Sequence, residues 1–443
     1  GGLFMPEAYP QVSLNKLASF KLLSYDQLAT AIMYPYVEGS ITKEELTELN
    51  KKTYKASVFG STEITPIERL TENVYLQDLS SGPSLAFKDM AMQFLGHLME
   101  FELNRQGRNL TILGASSGDT VSAAEEAMRS KMGINVFMLT PKEGMSPFQK
   151  AQAGSILDSN IYNISIEGPF DRCQDLVKEI TTDLEFKEKF SIGAVNSINW
   201  GRILAQVVYY FKGYLTVAKK IGDSVDVCVP SGNFGNVLAA YVAKSMGLPL
   251  RQLIVSTNEN IVLDAFFKTG IYQQRDVVVT SSPSMDISKA SNIERLFFDL
   301  LDKDPVKCKQ LMLTFDQEKR LDLTACLSTL TDTIQFVSGS CNHDQRTETI
   351  RSVYNQTQRI IDPHTAAGVY VAYQYKQSDN VPILCMETAK PSKFESAIKE
   401  ALDLIPQRPS RFIGLESNEQ RFFDVKANAE AIKLFIKEKL SRF

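Results

Sequence analysis

The stretch VDVCVPSGNFGNVLAAYVAKSMGLP, residues 225–249, decides how this chain folds. It opens with an apolar, β-branched run, passes through the small polar segment 231–236, and ends in an apolar-rich helical pattern. A strand that leads through a glycine turn into a helix is the repeating element of a parallel sheet covered by helices. Glycines let backbone N–H groups gather around an anion, and the N-terminus of the following helix adds partial positive charge. The stretch therefore predicts an α/β fold with a phosphate-binding turn.

We call this turn the phosphate loop; its residues are Ser231, Gly232, Asn233, Phe234, Gly235 and Asn236. The loop lacks the G-K-[S/T] ending of an ATP-binding loop and the G-x-G-x-x-G spacing of a dinucleotide-binding turn. ATP and NAD are therefore poor candidates for its ligand, and we expect a different phosphate. The alternative is an ordinary strand–turn–helix connection that binds nothing.

The same alternation of strand and helix recurs along the chain from about residue 73 onward. Short β-branched runs predict strands at 109–115, 134–141, 160–168, 225–232, 251–258 and 381–389. Amphipathic patterns predict helices at 120–132, 171–189, 200–220 and 235–246. In such a fold, ligands gather at the carboxyl ends of the strands.

The predicted organisation has two parallel-sheet domains and two helical flanking regions. The N-terminal helical region is 1–72, the large domain is 73–88 and 196–405 with a helical insertion at 292–360, the small domain is 89–195, and the C-terminal helical extension is 406–443. A chain of 443 residues is long enough to bury a sizeable core in each domain.

Composition argues against several classes of function. The net charge is −4 with both signs dispersed, which gives no support to a nucleic-acid or anionic-membrane partner. No apolar run approaches the roughly 20 residues of a membrane span. The start, GGLFMPE, has no secretory leader pattern and no methionine, so we expect a few upstream residues to be missing. Six dispersed cysteines and three histidines predict a reduced, cytoplasmic protein without a metal site.

A second predicted strand end also carries small polar residues. The segment NLTILGASSGDT, residues 109–120, leads from a predicted strand through Ser116 and Asp119 into a predicted helix. Hydroxyl and free N–H groups at that place suit a substrate carboxylate or phosphate. The same residues also make a good helix cap, so both interpretations stay open.

One lysine stands out in GPSLAFKDMAMQFLGHLMEF, residues 82–101. Phe87, Met90 and Phe94 fall on one helical stripe, and Lys88 lies beside that stripe in the predicted first turn. A helix N-terminus and apolar neighbours both favour the neutral amine, which is the form that attacks an aldehyde. The alternative is a surface lysine that extends its charge into water. Together with a non-nucleotide phosphate loop, such a lysine suits pyridoxal 5′-phosphate, which has one aldehyde and one phosphate.

Segments throughout the chain resemble the signature segments of the threonine synthase family, in the family's order. They are PSLAFKD (83–89), ASSGDT (115–120), NSINWGR (196–202), VPSGNFGN (229–236), DPHTAAGV (362–369) and TAKPSKF (388–394). The similarity covers nearly the whole chain and is to the longer bacterial and fungal type. It implies a fold-type II pyridoxal-phosphate enzyme, similar to the tryptophan synthase β chain, that converts O-phospho-L-homoserine and water into L-threonine and phosphate in the last step of threonine biosynthesis.

The resemblance also implies a role for each matching residue. Lys88 is the catalytic lysine that bonds to the cofactor aldehyde. The phosphate loop holds the cofactor phosphate, Asp119 lies close to the 3′ oxygen of the ring, and the Thr388 hydroxyl meets the pyridine nitrogen. The implied substrate-binding residues are Ser116, Ser117, Thr120, Asn196, Ser197 and Arg202. For Arg202 the alternative is an ion pair at a domain interface, and His364 is expected to be structural.

Three positions depart from the family's pattern, which usually has Thr at Ser84, Gly at Val121 and His at Lys390. A β-branched residue at 121 is expected to crowd the substrate loop. This motivates an alternative function, a related phospho-lyase that yields 2-oxobutanoate and ammonia. A serine/threonine dehydratase would leave Arg202 without a purpose, and the presence of Lys88 argues against a non-catalytic cofactor-binding protein. A monomer or homodimer is expected.

Overall fold

The computed structural model describes residues 2–116, 118–143, 145–376 and 381–441, and its chain falls into two units. Unit 1 comprises Gly1–Ser81 and Ser197–Gln407. Unit 2 comprises Gly82–Asn196 and Arg408–Phe443. The first boundary therefore lies between residues 81 and 82, whereas the sequence places it between 88 and 89.

Unit 1 is built on a six-stranded sheet with the strand order β1-β2-β12-β7-β8-β11. Neighbouring strands are parallel except for the antiparallel pair β1–β2. The strands are β1 (Ile67–Arg69), β2 (Val74–Asp78), β7 (Val225–Pro230), β8 (Leu250–Thr257), β11 (Phe336–Ser340) and β12 (Ile383–Glu387), and a separate antiparallel ribbon joins β9 (Ile271–Gln273) to β10 (Arg320–Asp322). Every residue of β7 and β12 is buried, which explains their continuous apolar sequences.

Helices α10, α11 and α16 position the site of unit 1, because α11 follows β7 directly, α10 packs on α11, and α16 packs on β7, β8 and β12. The helices of this unit are α1 (Leu14–Ser19), α2 (Tyr25–Val37), α3 (Lys43–Thr53), α4 (Ala56–Phe59), α10 (Trp200–Val217), α11 (Gly235–Ser245), α12 (Val262–Thr269), α13 (Ile293–Leu300), α14 (Pro305–Glu318), α15 (His343–Thr357), α16 (Pro363–Tyr375) and α17 (Glu395–Leu402).

Unit 2 is built on a five-stranded parallel sheet with the order β13-β5-β4-β3-β6. Its strands are β3 (Leu110–Ala115), β4 (Ile134–Pro141), β5 (Ile161–Ile166), β6 (Ile192–Gly193) and β13 (Phe423–Asp424). Its helices are α5 (Asp89–Gln106), α6 (Asp119–Met128), α7 (Pro147–Gly154), α8 (Phe170–Thr182), α9 (Leu184–Lys189) and α18 (Ala429–Leu440). Apolar side chains of α5 and α6 pack on one group of strand residues, and those of α8 and α18 pack on another.

The strands predicted from β-branched runs are confirmed as β3, β4, β5, β7, β8 and β12, with ends that shift by a few residues. Two regions predicted as helical also contain strands. The stretch 292–360 includes β11, which is parallel to β8, and the stretch 406–443 includes β13, which is parallel to β5. Both strands were missed because they are edge strands with short or Ser/Gly-rich sequences and show no alternation of apolar residues.

Within the described ranges, no helix has the length and apolar character that crossing a membrane requires. The same residues contain no cluster of three or more His, Cys, Asp or Glu side chains that is arranged to hold a metal ion. All six cysteines are free thiols.

Candidate functional site

The phosphate loop connects the end of β7 at Pro230 to the start of α11 at Gly235. It needs a residue without a side chain at Gly232, because a Cβ there would lie 2.5 Å from the carbonyl oxygen of Ser284. Phe234 has a left-handed backbone with φ of 62°, and its buried ring packs against Phe267 at 5.9 Å between centroids. A bulky residue adopts this conformation only where its surroundings impose it. The packing of unit 1 therefore fixes the shape of the loop.

Two buried polar groups of the loop lack a hydrogen-bond partner within the described residues. They are the hydroxyl of Ser231 and the side-chain Nδ2 of Asn236, and both residues are only 4% exposed. Buried polar groups nearly always have partners, because an unsatisfied one costs free energy. The first N–H groups of α11 add further donors, since the first turn of a helix has no internal acceptors for them. The loop therefore carries several donors that an anion can use.

Two tyrosines of α10 fix which way the Asn236 amide points. The hydroxyl groups of Tyr209 and Tyr210 both donate to Asn236 Oδ1, the second at 2.6 Å. Burial raises the pKa of both tyrosines well above the usual 10, so both remain protonated donors. Because the amide oxygen is engaged in this way, the amide nitrogen is the end that a ligand can use. No local sequence pattern connects these two tyrosines with Asn236, because they lie in a different helix.

His364 holds the backbone that packs against the phosphate loop, which is the structural role that the sequence predicts. Its Nδ1 lies 2.8 Å from Asp362 Oδ1, and its Nε2 accepts a hydrogen bond from the backbone N–H of Ser284 at 3.1 Å. Ser284 is the residue whose carbonyl closes over Gly232. The ring of His364 is 2% exposed and packs against Phe394. Both ring nitrogens are therefore engaged in holding the backbone around the phosphate loop.

Thr388 follows β12, the strand beside β7, so the two carboxyl ends lie at the same edge of the sheet. Thr388 is buried, and its backbone N–H donates to the hydroxyl of Thr365 at 3.4 Å. The structure thus brings Thr388 and the phosphate loop together in unit 1, as expected for the ends of neighbouring parallel strands.

Lys390, where the family pattern has His, forms a charged cluster beside Thr388. Its Nζ lies 2.7 Å from Asp78 Oδ2 and 3.1 Å from Glu387 Oε1. Glu387 also pairs with Arg359. Although burial opposes ionisation, Lys390 and nearby hydroxyl and N–H donors hold the pKa of Asp78 below its usual 3.8. In turn, Glu387 and Asp78 raise the pKa of Lys390 despite its burial. Every charge in this cluster has a partner.

Arg202 is a buried cation in the first turn of α10. Within the described part of the chain, no carboxylate pairs with it, and its Nε has no partner. Burial lowers the pKa of the guanidinium to about 10, which leaves it charged at neutral pH. An unpaired buried charge is costly unless an anion binds it. The alternative role, an ion pair with another part of the protein, therefore has no support from the described residues.

Two other predicted substrate residues, Asn196 and Ser197, lie on either side of a boundary between the units. Asn196 belongs to unit 2, and Ser197 belongs to unit 1. The hydroxyl of Ser197 lies 3.1 Å from that of Ser291. Ser197 and Arg202 thus belong to the same unit as the phosphate loop and Thr388.

Lys88 is the residue immediately before α5 in unit 2, and a hydrogen-bonded turn leads to it. The next residue, Asp89, is fully buried and accepts bonds from the N–H of Ser84 at 2.7 Å and from its hydroxyl at 2.8 Å. The turn also holds Leu85 in a left-handed conformation with φ of 60°. The substitution of Ser for Thr at 84 keeps the hydroxyl that this arrangement uses. The carboxylate of Asp89 thus closes the turn.

Arg411, from the C-terminal segment of unit 2, supports the same turn. It donates a hydrogen bond to the carbonyl oxygen of Gly82. Gly82 itself has no room for a side chain, because a Cβ there would lie 2.5 Å from Asp89 Oδ2. Nearby, Leu85 packs with Phe148 and neighbouring apolar residues of unit 2. Arg411 could not be predicted from the sequence, because no local pattern marks it and 329 positions separate it from Gly82.

The second predicted loop follows β3 in unit 2. Ser116 is 8% exposed, and its hydroxyl accepts a bond from the N–H of Gly118 at 3.2 Å. Ser117 lies outside the described residues. Asp119 begins α6 and accepts a bond from Gln149 at 3.3 Å, and Thr120 is half-buried beside it.

Val121, one of the departures from the family pattern, is fully buried. It packs in the apolar core of unit 2 with residues of α5, α6 and β4. The structure therefore gives its side chain a packing role in that core.

Comparison with known proteins matches the chain along nearly its whole length. Three family models match, described as threonine synthase N terminus (residues 1–54), pyridoxal-phosphate dependent enzyme (56–310) and threonine synthase, C-terminal (365–436). Threonine synthase of Methylobacillus glycogenes is 49% identical and covers 99% of this chain and 94% of its own. Threonine synthase of Saccharomyces cerevisiae is 38% identical and covers 100% of this chain and 93% of its own.

Solved structures agree. The crystal structure of threonine synthase from Brucella melitensis with bound pyridoxal phosphate matches with a TM-score of 0.95 at 37% identity, over 99% of this chain and 94% of that one. The structure of the yeast enzyme matches with a TM-score of 0.94 at 36% identity, over 100% of this chain and 94% of that one.

Proposed function

The chain belongs to the threonine synthase family of pyridoxal-phosphate enzymes, and we propose that Lys88, the phosphate loop, Thr388 and Arg202 carry the family's reaction in this protein. The reaction converts O-phospho-L-homoserine and water into L-threonine and phosphate. The observation that carries the assignment of the cofactor site is the pair of buried donors on the phosphate loop, which have no partner within the described residues.

The residues of unit 1 fit the cofactor. A phosphate group accepts hydrogen bonds, and the loop supplies the hydroxyl of Ser231, the amide nitrogen of Asn236 and the N-terminal N–H groups of α11. The loop is free of side-chain bulk at Gly232. At the neighbouring strand end, Thr388 offers a neutral hydroxyl to the ring nitrogen. A neutral partner leaves that nitrogen largely unprotonated, which favours elimination chemistry over transamination.

When bound, pyridoxal 5′-phosphate provides an electron sink that stabilises negative charge at the carbon next to the substrate's amino group. The role of Lys88 is to bond to the cofactor aldehyde in the resting enzyme and to act as a base during turnover. Its Nζ takes the proton from the substrate Cα and must give that proton up before it can act again. It then takes a second proton from Cβ, and phosphate leaves from Cγ with the electron pair of the C–O bond. The protonated Nζ returns a proton to Cγ before water adds at Cβ, and Cα regains its proton last.

Arg202 binds the phosphate of the substrate. A guanidinium group presents paired N–H donors that match a phosphate dianion, and its buried position strengthens the attraction. Asp119 is assigned to the 3′ oxygen of the cofactor ring. The remaining substrate contacts are assigned to residues that share small polar side chains: Ser116, Ser117, Thr120, Asn196 and Ser197.

The proposal also covers the location and the assembly of the protein. A cytoplasmic location is supported by the six free cysteines, which suit a reducing compartment. A monomer or homodimer remains the prediction for its assembly. The burial of Val121 in the core of unit 2 removes the crowding argument that motivated the phospho-lyase alternative.

The identity of the product tests the function. The purified protein is incubated with O-phospho-L-homoserine, with and without added cofactor, and the products are separated by chromatography. Equal amounts of threonine and phosphate are expected, with dependence on the cofactor. Accumulation of 2-oxobutanoate and ammonia in place of threonine would favour the phospho-lyase.

The role of Lys88 has its own test. Lys88→Ala should lose turnover and the visible absorbance of the lysine-bound cofactor. Lys219→Ala, at an exposed lysine of unit 1, is the matched control and should keep both. Full turnover by the Lys88→Ala protein would rule the assignment out.

A further inference from the structure

A single buried asparagine touches both the phosphate loop and the segment that leads to Arg202. The backbone N–H of Asn292 donates to the carbonyl of Asn233 at 3.1 Å, and its side-chain Nδ2 donates to the same carbonyl at 3.1 Å. The same Nδ2 also donates to the carbonyl of Ser197 at 3.2 Å. Asn292 is fully buried. One side chain therefore fixes the backbone of two segments that are far apart in the sequence.

Arg295 fixes the orientation of the Asn292 amide. Its Nη1 donates to Asn292 Oδ1 at 2.7 Å, and its Nη2 donates to the carbonyl of Ile198 at 2.7 Å. A guanidinium has no acceptor, so the amide oxygen must face Arg295 and the amide nitrogen must face the two carbonyls. Arg295 is itself 1% exposed, and its guanidinium lies over the ring of Trp200. The planar fork of donors thus holds the amide and the segment before α10 together.

The phosphate loop is also packed tightly against Asn292. A Cβ at Gly235 would lie 3.3 Å from Asn292 Nδ2, which is closer than ordinary contact. On the other side, the hydroxyl of Ser291 meets that of Ser197 at 3.1 Å. Contacts with the phosphate loop, with Ser197 and with Arg295 therefore fix the position of Asn292.

We propose that Asn292 is a positioning residue that sets the phosphate loop and the Ser197–Arg202 segment in place together. The proposal rests on the proposed function, which assigns the cofactor phosphate to the loop and the substrate phosphate to Arg202. Loss of the Asn292 side-chain amide removes the donor that links the carbonyls of Asn233 and Ser197, and it leaves Asn233 with only the backbone N–H of residue 292. Both segments then lose the same support, so the affinities for cofactor and for substrate phosphate fall together.

The test measures three constants in Asn292→Ala and in Arg295→Lys. They are the Kd of pyridoxal 5′-phosphate for the apoprotein, followed by absorbance, the KM for O-phospho-L-homoserine at saturating cofactor, and the inhibition constant of inorganic phosphate. In Asn292→Ala all three should rise about tenfold, because the carbonyls of Ser197 and Asn233 both lose the amide donor that holds their segments in place. The turnover number at saturation should change less. Arg295→Lys should shift the same constants in the same direction by a smaller factor, since a lysine cannot span both acceptors.

Asn50→Ala is the matched control. Asn50 is a fully buried asparagine of α3 in unit 1, and its Nδ2 donates to Thr30 at 3.0 Å. This variant should lower the melting temperature and leave the three constants unchanged. An Asn292→Ala protein that melts like Asn50→Ala but keeps wild-type constants would overturn the proposal. If Asn292→Ala does not fold, Arg295→Lys and Asn292→Ser decide, and unchanged constants in either folded variant overturn it.

Failure of the proposed function looks different. It would appear as a wild-type protein that binds no cofactor or makes no threonine. The positioning proposal fails instead when the wild type does both and the Asn292 variant matches it.

Discussion

Two neighbouring strands of unit 1, β12 and β7, end in polar residues at the same edge of the sheet, but the two ends differ in how those residues are paired. After β12, Lys390 is bonded to both Asp78 and Glu387, and Glu387 is also bonded to Arg359. After β7, the Ser231 hydroxyl and the Asn236 amide nitrogen have no partner within the described residues. Removal of one member of a buried ion pair destabilises the fold, whereas buried donors without partners are typical of a place where a ligand binds.

The difference separates structural from ligand-binding polar groups in a way that the sequence alone does not. Both strand ends are equally polar in sequence, and both lie where ligands gather in such folds. Arg202 belongs with the end of β7, because it is buried without an ion pair in the described chain. Removal of a group on the paired side should cost stability, and removal on the unpaired side should cost affinity.

The largest expected effect is on the paired side, in Lys390→Met. This change leaves the carboxylates of Asp78 and Glu387 without their shared cation, so the free energy of unfolding should fall by about 3–5 kcal/mol. Denaturant unfolding of the apoprotein near pH 7 measures it, with Lys219→Ala as the control. In the wild type, the contribution of Asp78 is present above pH 3.8 and is lost as the pH falls through its lower folded pKa. If Lys390→Met were as stable as the wild type, the paired charges after β12 would not have the stabilising role that we assign to them.

Arg202→Met tests the unpaired side. The KM for O-phospho-L-homoserine should rise about 10- to 100-fold, because a charge-assisted bond to phosphate contributes about 1.5–3 kcal/mol. The apoprotein should be as stable as the wild type or more stable, since a buried charge without a partner has been removed. Steady-state kinetics and denaturant unfolding give the two numbers. A loss of several kcal/mol in stability would show that Arg202 has a structural role instead.

Ser231→Ala sharpens the contrast within unit 1. The cofactor Kd should rise about tenfold, which corresponds to about 1.4 kcal/mol for one hydrogen bond, and the apoprotein should keep its stability. The control is Ser338→Ala on β11, where the hydroxyl donates to Asp264 at 2.8 Å. That variant should lose stability and keep its cofactor Kd, as measured by absorbance titration. The reverse pattern would contradict the assignment of unpaired donors to the ligand.

The smallest expected effect extends the comparison to unit 2, where Glu125 of α6 is a fully buried carboxyl. Burial raises the pKa of Glu125 well above the usual 4.5. The folded protein therefore holds this proton more tightly than the unfolded chain, and its unfolding free energy falls as the pH rises above 4.5. Glu125→Gln removes that dependence and should be about 1 kcal/mol more stable than the wild type at pH 8, with little difference at pH 5.

Unfolding curves at the two pH values measure this effect of Glu125→Gln. Glu44→Gln, at an exposed position of α3, is the control and should follow the wild type at both pH values. An unchanged pH dependence in Glu125→Gln would contradict the raised pKa.

Local patterns were enough to predict two polar loops and six of the sheet strands, which are β3, β4, β5, β7, β8 and β12. The sequence of residues 225–236 predicts a buried strand, a glycine turn and the start of a helix, and the structure contains each of them. Lys88 was singled out in the same way, from its place at the start of a predicted helix, and α5 begins at the next residue. Strands, turns and helix starts depend mainly on residues that are adjacent in the chain, so the sequence alone can predict them.

The supporting residues could not be predicted, because their partners are distant along the chain. Asn292 is 59 positions from Asn233 and 95 from Ser197, and each contact exists only after the sheet has formed. Tyr209 and Tyr210 reach Asn236 from another helix. The strand β11 was missed for a related reason, since its pairing with β8 and not its composition makes it a strand.

We propose that Lys88 bonds to the aldehyde of a cofactor whose phosphate the loop after β7 holds. The most direct test is to reduce the holoprotein with borohydride, digest it, and locate the pyridoxyl group by peptide mass spectrometry. We expect the label on Lys88 in wild-type protein, and a lower yield of labelled peptide in Ser231→Ala at limiting cofactor. A label on another lysine, such as Lys390 or Lys393, or no label at all, would contradict it.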